Sequence, residues 1–136
     1  MSLSNHQHNI RVYYEDTDAG GIVYYANYLK FFERARTEWL RALGINQSIF
    51  LEQNIGFVVT KVAMDNKASA KLDDMLTITT TISRLKSASV VFSQQLVNQN
   101  DLILCTAEIK VACVNLSIAK PCIIPKSILG ALKRVS

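Results

Sequence analysis

A single amphipathic helix near the N-terminus constrains the fold of this chain more than any other sequence feature. Between Tyr25 and Leu43 apolar residues recur mostly every three or four positions, with charged and polar residues between them. That spacing predicts a helix with one wide buried face, and Gly44 occupies the position of a left-handed C-terminal cap. Burying each large side chain contributes roughly 1.5–3 kcal/mol, so packing alone is sufficient reason for such a helix. The predicted stripe is Tyr25, Tyr28, Leu29, Phe32, Ala35, Trp39, Leu40 and Leu43.

The segment in front of this helix combines carboxylates with glycines. Glu15, Asp16 and Asp18 are followed at once by Gly20 and Gly21. An ordinary turn is one interpretation, because Asp, Thr and Gly all favour turns. A reactive loop at the start of the helix is the other. The residue types and their spacing leave both interpretations open.

Most of the remaining chain predicts strands, because apolar and polar residues alternate with a period of two. One long helix followed by consecutive strands predicts an α+β fold, with an antiparallel sheet curled around the helix. The longest alternating strand includes residues 107–114, and in a small sheet its unpaired edge is expected to attract another chain. The predicted elements are strands at 9–14, 57–70 (bent at Asp65), 76–82, 89–97 and 103–113, a short helical connector at 45–54, and a terminal helix at 126–134.

Composition narrows the class of protein. With 136 residues, of which 49% are hydrophobic and 19% charged, the chain is expected to form one domain rather than a disordered segment. Residues 1–136 are predicted to be that domain, with about 1–8 as a flexible N-terminal segment. No apolar run approaches the ~18 residues of a membrane span, and no signal peptide is visible. The net charge of +4 is scattered, which disfavours nucleic acid. It suits a small polyanionic ligand, but charge alone favours an ordinary solvated surface.

Cysteine and histidine usage limits the chemistry. Cys105, Cys113 and Cys122 are odd in number and lack C-x-x-C spacing, so they are expected to be free thiols in a reducing compartment, the cytoplasm. His6 and His8 are the only histidines, and both lie near the N-terminus. A metal site is therefore unsupported, and a histidine base inside the fold is nearly excluded.

Four sequence blocks resemble one protein family. They are Y-Y-E-D-T-D-A-G-G-I-V-Y-Y-A-N-Y-L-K-F-F-E-R-A-R (13–36), A-K-L-D-D-M-L (70–76), A-E-I-K-V-A-C-V (107–114) and I-P-K-S-I (124–128). The chain resembles the hotdog-fold thioesterases, most closely the Tol–Pal-associated acyl-CoA thioesterases, which are relatives of 4-hydroxybenzoyl-CoA thioesterase. The resemblance implies a five-stranded antiparallel sheet around the long helix, and a homodimer joined edge to edge or a homotetramer, with active sites at the dimer interface.

The resemblance also implies a catalytic pair. The family's catalytic carboxylate matches Asp18, and the backbone N–H that polarises the thioester carbonyl matches Tyr25. A free N–H at a helix start, together with the helix dipole, suits an oxyanion and an ionised carboxylate. Asp18 is then either the nucleophile or the general base that activates water. A structural role for Asp18 as a cap at the helix entry is the alternative.

One departure from the family pattern affects the substrate. Many Tol–Pal-associated members carry His where this chain has Tyr25. A phenol, whose pKa is normally about 10, does not replace imidazole as a base at neutral pH. The hydroxybenzoyl branch has an aromatic residue at the matching position and uses the backbone N–H. The resemblance therefore keeps the thioesterase assignment but leaves the acyl group open.

The resemblance also implies that Val58, Val59 and Thr60 lie against the acyl group, because the matching strand in relatives approaches it from the partner subunit. A plain core strand explains these three residues nearly as well. Lys86 and Ser87 match the region that meets the CoA phosphates in relatives, and Lys61 is a further basic candidate. The expected activity is hydrolysis of acyl-CoA to free acid and CoA without cofactor, with acyl-carrier protein as a second partner class. A non-catalytic module that binds acyl-CoA or acyl-carrier protein is the alternative, and a hotdog dehydratase, which generally needs a histidine, is a weaker one.

Overall fold

The computed structural model describes residues 4–136. Within these residues, five long strands and one two-residue strand form a single antiparallel sheet, accompanied by three α-helices. None of the described helices is long and apolar enough to cross a membrane. The strands are β1 (Asn5–Arg11), β2 (Ile55–Asn66), β3 (Met75–Leu85), β4 (Ser89–Val97), β5 (Ile103–Asn115) and β6 (Lys120–Pro121). The helices are α1 (Asn27–Ala42), α2 (Gln47–Glu52) and α3 (Lys126–Val135).

The order of the strands corrects the prediction about the open edge. The sheet runs β1-β3-β4-β5-β2, with β6 paired to the end of β5. Residues 107–114 belong to β5, which is paired on both sides and exposes no edge to a second chain. The open edges of the described sheet are β1 and β2. Alternation along a strand reports which face is buried, whereas edge position depends on pairing with distant segments.

The long helix α1 packs across one face of the sheet, as predicted. Its buried face meets apolar side chains of β3, β4 and β5 in one core. The predicted stripe was wrong at both Tyr25 and Leu29, which are 53% and 37% exposed, and it omitted Phe31, which is fully buried. Tyr25 falls outside because α1 begins only at Asn27. The predicted C-terminal cap is confirmed, because Gly44 has φ +84° and its N–H donates to the Arg41 carbonyl (2.9 Å).

The N-terminal strand begins earlier than predicted. β1 pairs with β3 from Asn5↔Thr81 onward, so residues 5–8, which were expected to belong to a flexible segment, form part of the sheet. His6 stacks on Trp39 of α1, with ring centroids 6.3 Å apart and planes 12° apart. The polar composition of the segment N-H-Q-H-N conceals the strand, whose side chains alternate between exposed and half-buried. Tyr14, predicted to end this strand, lies in a short 3-10 turn and is exposed. Met1–Leu3 lie outside the described residues.

The irregularity in β2 lies at Thr60, not at the predicted Asp65. Val59 pairs with Val111 and Lys61 with Lys110, so Thr60 is an inserted residue, whereas Asp65 pairs regularly with Thr106. An inserted residue shifts the alternation of faces along a strand. The strand also ends at Asn66 rather than at residue 70. The predicted strands at 76–82 and 89–97, the short helix at 45–54 and the terminal helix are confirmed.

A buried polar network joins α1 to the sheet. The Arg36 guanidinium donates to the side-chain oxygen of Gln94 on β4 (3.0 Å). The Gln94 amide nitrogen donates to the Phe32 carbonyl (3.0 Å) and to the Thr80 hydroxyl (3.0 Å). Burial lowers the pKa of Arg36, and nearby Glu33 partly opposes that shift. A buried cation needs its hydrogen bonds, so this network makes the position of α1 specific.

Replacing Gln94 with Leu is therefore expected to destabilise the fold by about 2–3 kcal/mol, because the Arg36 guanidinium loses a buried acceptor. Gln95→Leu is the matched control, since Gln95 is the exposed neighbour on the opposite face of β4. Urea unfolding of the two variants provides the measurement. Equal losses of stability would contradict a structural role for the network.

Candidate active site

The loop before α1 is a tight turn built around Asp18. Residues 17 and 23 form an antiparallel bridge that closes the turn. Inside it the Asp18 N–H donates to the Ile22 carbonyl (3.0 Å), and the Gly21 N–H donates to the Asp18 carbonyl (3.1 Å). Gly21 has φ +71°, a left-handed conformation that favours glycine. The Asp18 carboxylate is exposed and accepts one hydrogen bond, from the Gly20 N–H (2.9 Å).

The neighbouring carboxylate Asp16 is structural. Its side chain accepts from the Tyr13 N–H (2.9 Å), and its carbonyl accepts from the Asn27 side chain at the start of α1 (3.2 Å). Asp18 does not cap the helix, because the N-cap of α1 is Ala26, to which no side-chain cap bond is made. The structure thus separates an acid that holds the loop together from an acid that faces solvent.

Tyr25 lies in the turn that leads into α1, two residues before the helix begins. The carbonyls of Tyr24 and Tyr25 accept from the N–H groups of Asn27 (2.8 Å) and Tyr28 (3.0 Å). In the described part of the chain, the Tyr25 N–H itself donates to no acceptor. The Tyr25 N–H was expected at the start of α1, but the helix begins two residues later. This N–H is still an available donor on the same loop as Asp18.

The segment between β2 and β3 clamps this loop. The Val23 N–H donates to the Ala70 carbonyl (2.9 Å), and the Leu72 N–H donates to the Gly21 carbonyl (2.9 Å). The buried Tyr28 hydroxyl accepts from the Ala70 N–H (2.8 Å), and burial raises its pKa. Sequence reasoning did not assign this clamp, although residues 70–76 had been noted as a block of family resemblance.

Of the three residues expected beside the acyl group, Val59 lines a cavity of about 110 Å³ between α1, α3 and the sheet. Val58 pairs with Ala112 and is 40% exposed on the opposite face. Thr60 is the bulge residue, and its hydroxyl donates to the Lys110 carbonyl (3.4 Å). The cavity walls that sequence reasoning missed include Leu40, Ile45, Phe57, Phe92, Ile128 and Leu132.

A basic groove crosses the outer face of the sheet. It brings together Lys61 and Lys86, which the resemblance indicated, with Arg84 and Lys110, which it did not, and one carboxylate, Glu108, also lines it. Strand register aligns them, since Arg84 pairs with Val91, and both Val91 and Lys61 pair with Lys110. The separation of these cations along the chain hides the groove in the sequence. Ser87 follows at the β3–β4 turn.

The Asp18 loop and the basic groove lie toward opposite ends of the sheet. The loop is hydrogen-bonded to the segment just before β3, which begins at Met75. We call this end of the sheet the loop end. Arg84 and Lys86 lie at the other end of β3, which we call the turn end. Nine residues of strand at ~3.3 Å each separate Met75 from Arg84 by about 30 Å. A single chain therefore does not bring all the predicted site residues together.

The family model of the thioesterase-like superfamily matches residues 12–132. The chain belongs to the thioesterase-like superfamily. It is 52% identical to the acyl-CoA thioesterase YbgC of Haemophilus influenzae over 123 residues, which cover 90% of each chain. It is 46% identical to the acyl-CoA thioester hydrolase YbgC of Escherichia coli over 125 residues, covering 92% of this chain and 93% of that one.

The fold comparison agrees with this family. A probable thioesterase from Bartonella henselae superposes with a TM-score of 0.79 at 37% identity, covering 90% of this chain and 99% of that one. The hotdog fold and the Tol–Pal-associated thioesterase family expected from the sequence are both confirmed. This member of the superfamily carries the family motif in the loop that the structure builds around Asp18.

Proposed function

We propose that this chain hydrolyses acyl-CoA thioesters at the loop that carries Asp18 and Tyr25. Its YbgC relatives, at 46% and 52% identity, are named acyl-CoA thioester hydrolase and acyl-CoA thioesterase, and the chain is an acyl-CoA thioesterase of this family. The observation that supports these two residues is the pairing, on one clamped loop, of an exposed carboxylate with an unused backbone N–H.

The Tyr25 N–H donates to the thioester carbonyl and stabilises negative charge as it develops on that oxygen. Asp18 then acts in one of two ways. As a nucleophile it attacks the carbonyl carbon, CoA leaves as the thiolate, and water cleaves the resulting mixed anhydride. As a general base it takes a proton from the water that attacks the carbonyl directly. Both routes yield a free acid and CoA and need no cofactor.

The assembly that completes the site is a homodimer joined through β2, alone or paired into a tetramer. β2 is 12 residues long and pairs on one side only, with β5. Val58, Val59 and Val62 are 40%, 48% and 41% exposed along it. A long apolar edge strand of this kind recruits a second chain by backbone pairing. Antiparallel β2–β2 pairing about a two-fold axis satisfies both edges and covers these valines.

That symmetry also brings the basic groove to the catalytic loop. The two-fold axis is perpendicular to the sheet and rotates the second copy by 180° in the plane of the sheet. The turn end of one copy therefore lies on the same side of the dimer as the loop end of the other copy. The phosphates of CoA then bind Lys61, Arg84, Lys86 and Lys110 of one copy while Asp18 of the other acts on the thioester. The acyl group lies against the helix-facing side of β2, at Val59.

The charge of the groove bears on the thiol carrier, and the free cysteines bear on the cellular compartment. The basic groove suits the phosphates of CoA, and acyl-carrier protein is the second carrier that it would accept by charge. Cys105 and Cys113 are buried free thiols, which fits a reducing cytoplasm.

Release of free thiol from a panel of acyl-CoAs tests the activity, and binding without release for every acyl group would favour the non-catalytic module.

Asp18→Asn is expected to lower kcat by at least ~10²-fold while the fold and acyl-CoA binding persist, because the carboxylate loses its charge but keeps its shape. Asp16→Asn is the matched control, since Asp16 lies two residues away and serves the turn. Thiol release and the unfolding midpoint are measured for both. A near-normal rate for Asp18→Asn would show that Asp18 is structural.

The donor at Tyr25 is tested by comparing a variant that lacks both the N–H and the ring with variants that keep the N–H and lack only the hydroxyl or the whole ring. Tyr25→Pro deletes the N–H and is expected to lower kcat by roughly 10²–10³-fold. Tyr25→Phe and Tyr25→Ala keep the N–H and are expected to retain activity within several-fold. If Tyr25→Phe loses as much activity as Asp18→Asn, the hydroxyl takes part in the chemistry and the backbone assignment is wrong.

The shared site is tested with hybrid dimers. One copy carries Asp18→Asn, and the other carries Arg84→Glu with Lys86→Glu; the two are co-expressed with different tags and purified as a hybrid. The homodimer of each variant alone is expected to hydrolyse acyl-CoA slowly at low acyl-CoA concentration. The hybrid is expected to recover about half of the wild-type rate, because one of its two symmetric sites keeps both intact parts.

Lys126→Glu with Lys133→Glu on α3 is the control for charge reversal elsewhere on the surface. A groove that served the Asp18 of its own chain would leave the hybrid without an intact site, so no recovery of activity would contradict the shared arrangement. A monomer in light scattering that turns over at full rate would contradict the dimer itself.

A further inference from the structure

Two of the three cysteines meet at the end of the sheet remote from Asp18. Cys113 is fully buried on β5, in a small apolar core with residues of α3. Cys122 follows β6 directly and is half-buried. Their sulfur atoms are 3.3 Å apart, and the Cys122 N–H donates to the Cys113 carbonyl (2.9 Å). Neither group takes part in the proposed hydrolysis.

The backbone holds the two residues at the separation that a disulfide requires. β6 pairs antiparallel with β5 through Val114↔Pro121, so the next facing pair outward is Cys113 and Cys122. Facing residues of an antiparallel pair have Cα atoms about 4.5–5.5 Å apart. Disulfides span Cα separations of about 4.4–6.8 Å. Closing the bond therefore requires the side chains to rotate but not the strands to move.

We propose that Cys113 and Cys122 are a reversible disulfide site oxidised by small-molecule disulfides such as oxidised glutathione. The Cys122 thiolate attacks one sulfur of the oxidant, forms a mixed disulfide and releases one glutathione thiol. Cys113 then loses its proton to solvent and attacks the Cys122 sulfur, which expels the second glutathione thiol. The protein loses two electrons and two protons, and the oxidant is reduced by the same amount.

The environments of the two thiols set the order of these steps. Cys122 is the more accessible thiol, so the oxidant reaches it first. Burial, followed by the hydrogen bond to Cys122, raises the pKa of Cys113 to about 12. Cys113 is therefore a poor first nucleophile, and its attack on the mixed disulfide is the slow step. Cys105 provides an internal comparison, because it is buried and its thiol contacts the Thr106 carbonyl (3.7 Å) rather than another thiol.

The bond would fasten the hairpin between β5 and β6 beside the start of α3. Cys113 also pairs with Phe57 on β2, and Phe57 lines the cavity at Val59. Cross-linking shortens the unfolded chain's range of conformations, so the oxidised protein is expected to unfold at a temperature several degrees higher. Because neither thiol lines the basic groove or belongs to the Asp18 loop, oxidation is expected to leave kcat within about twofold.

The test incubates the full-length protein with oxidised glutathione, quenches it with a thiol-blocking reagent and maps the peptides without reduction. Wild type and Cys105→Ser are expected to form the Cys113–Cys122 cross-link, to lose two titratable thiols and to regain them with dithiothreitol. Cys122→Ser is expected to keep its remaining thiols and to show no rise in melting temperature.

Mapping of the wild type requires no variant, so a poorly folding mutant does not obscure the result. A stable glutathione adduct at Cys122, an intermolecular cross-link, a bond to Cys105, or three unreacted thiols would each overturn the proposal.

Discussion

The packing of α1 across one face of the sheet is the interaction on which the rest of the structure depends, because it sets where the loop before the helix must lie. Apolar side chains supply most of the stability through burial, but they do not by themselves define one orientation. The hydrogen bonds from Arg36 to the Gln94 side-chain oxygen and from the Gln94 amide to the Phe32 carbonyl do define one, since a buried cation tolerates few alternative positions. The Asp18 turn directly precedes α1, so its position follows from that of the helix.

The loop is held mainly by backbone hydrogen bonds, together with the one that the Asp16 carboxylate accepts from the Tyr13 N–H. Its turn closes on itself, and the segment between β2 and β3 adds two further hydrogen bonds through Ala70 and Leu72. Such a scaffold leaves the Asp18 carboxylate exposed, with a hydrogen bond from the Gly20 N–H, and leaves the Tyr25 N–H without an acceptor among the described residues. A catalytic loop requires that combination, because groups already satisfied by the protein have little to offer a substrate.

The sheet explains why one chain falls short of a complete site. The basic groove and the Asp18 loop lie toward opposite ends of strands about 30 Å long. The order of the strands in the sheet does not bring these two ends of one chain closer together. The edge of β2 that is unpaired in the described sheet and the bulge at Thr60 suit the proposed two-fold dimer. The bulge turns Lys61 to the outer face beside Lys110 and leaves Val59 and Val62 on the helix side. One inserted residue thus separates the surface proposed for phosphate from the surface proposed for the acyl group.

The amino-acid sequence by itself determined the features that depend on neighbouring residues. The period of α1, the left-handed cap at Gly44, the alternation of β3 and β4, and the motif around Asp18 were all readable, because each is a local property of backbone conformation or of a contiguous family signature. Only the tertiary structure decided that the polar segment from Asn5 is a strand, that β2 rather than β5 is the open edge, and that Arg84 joins Lys110. It also brought Cys113 to Cys122. These features depend on strand order and register, which are set by contacts between residues far apart in the chain.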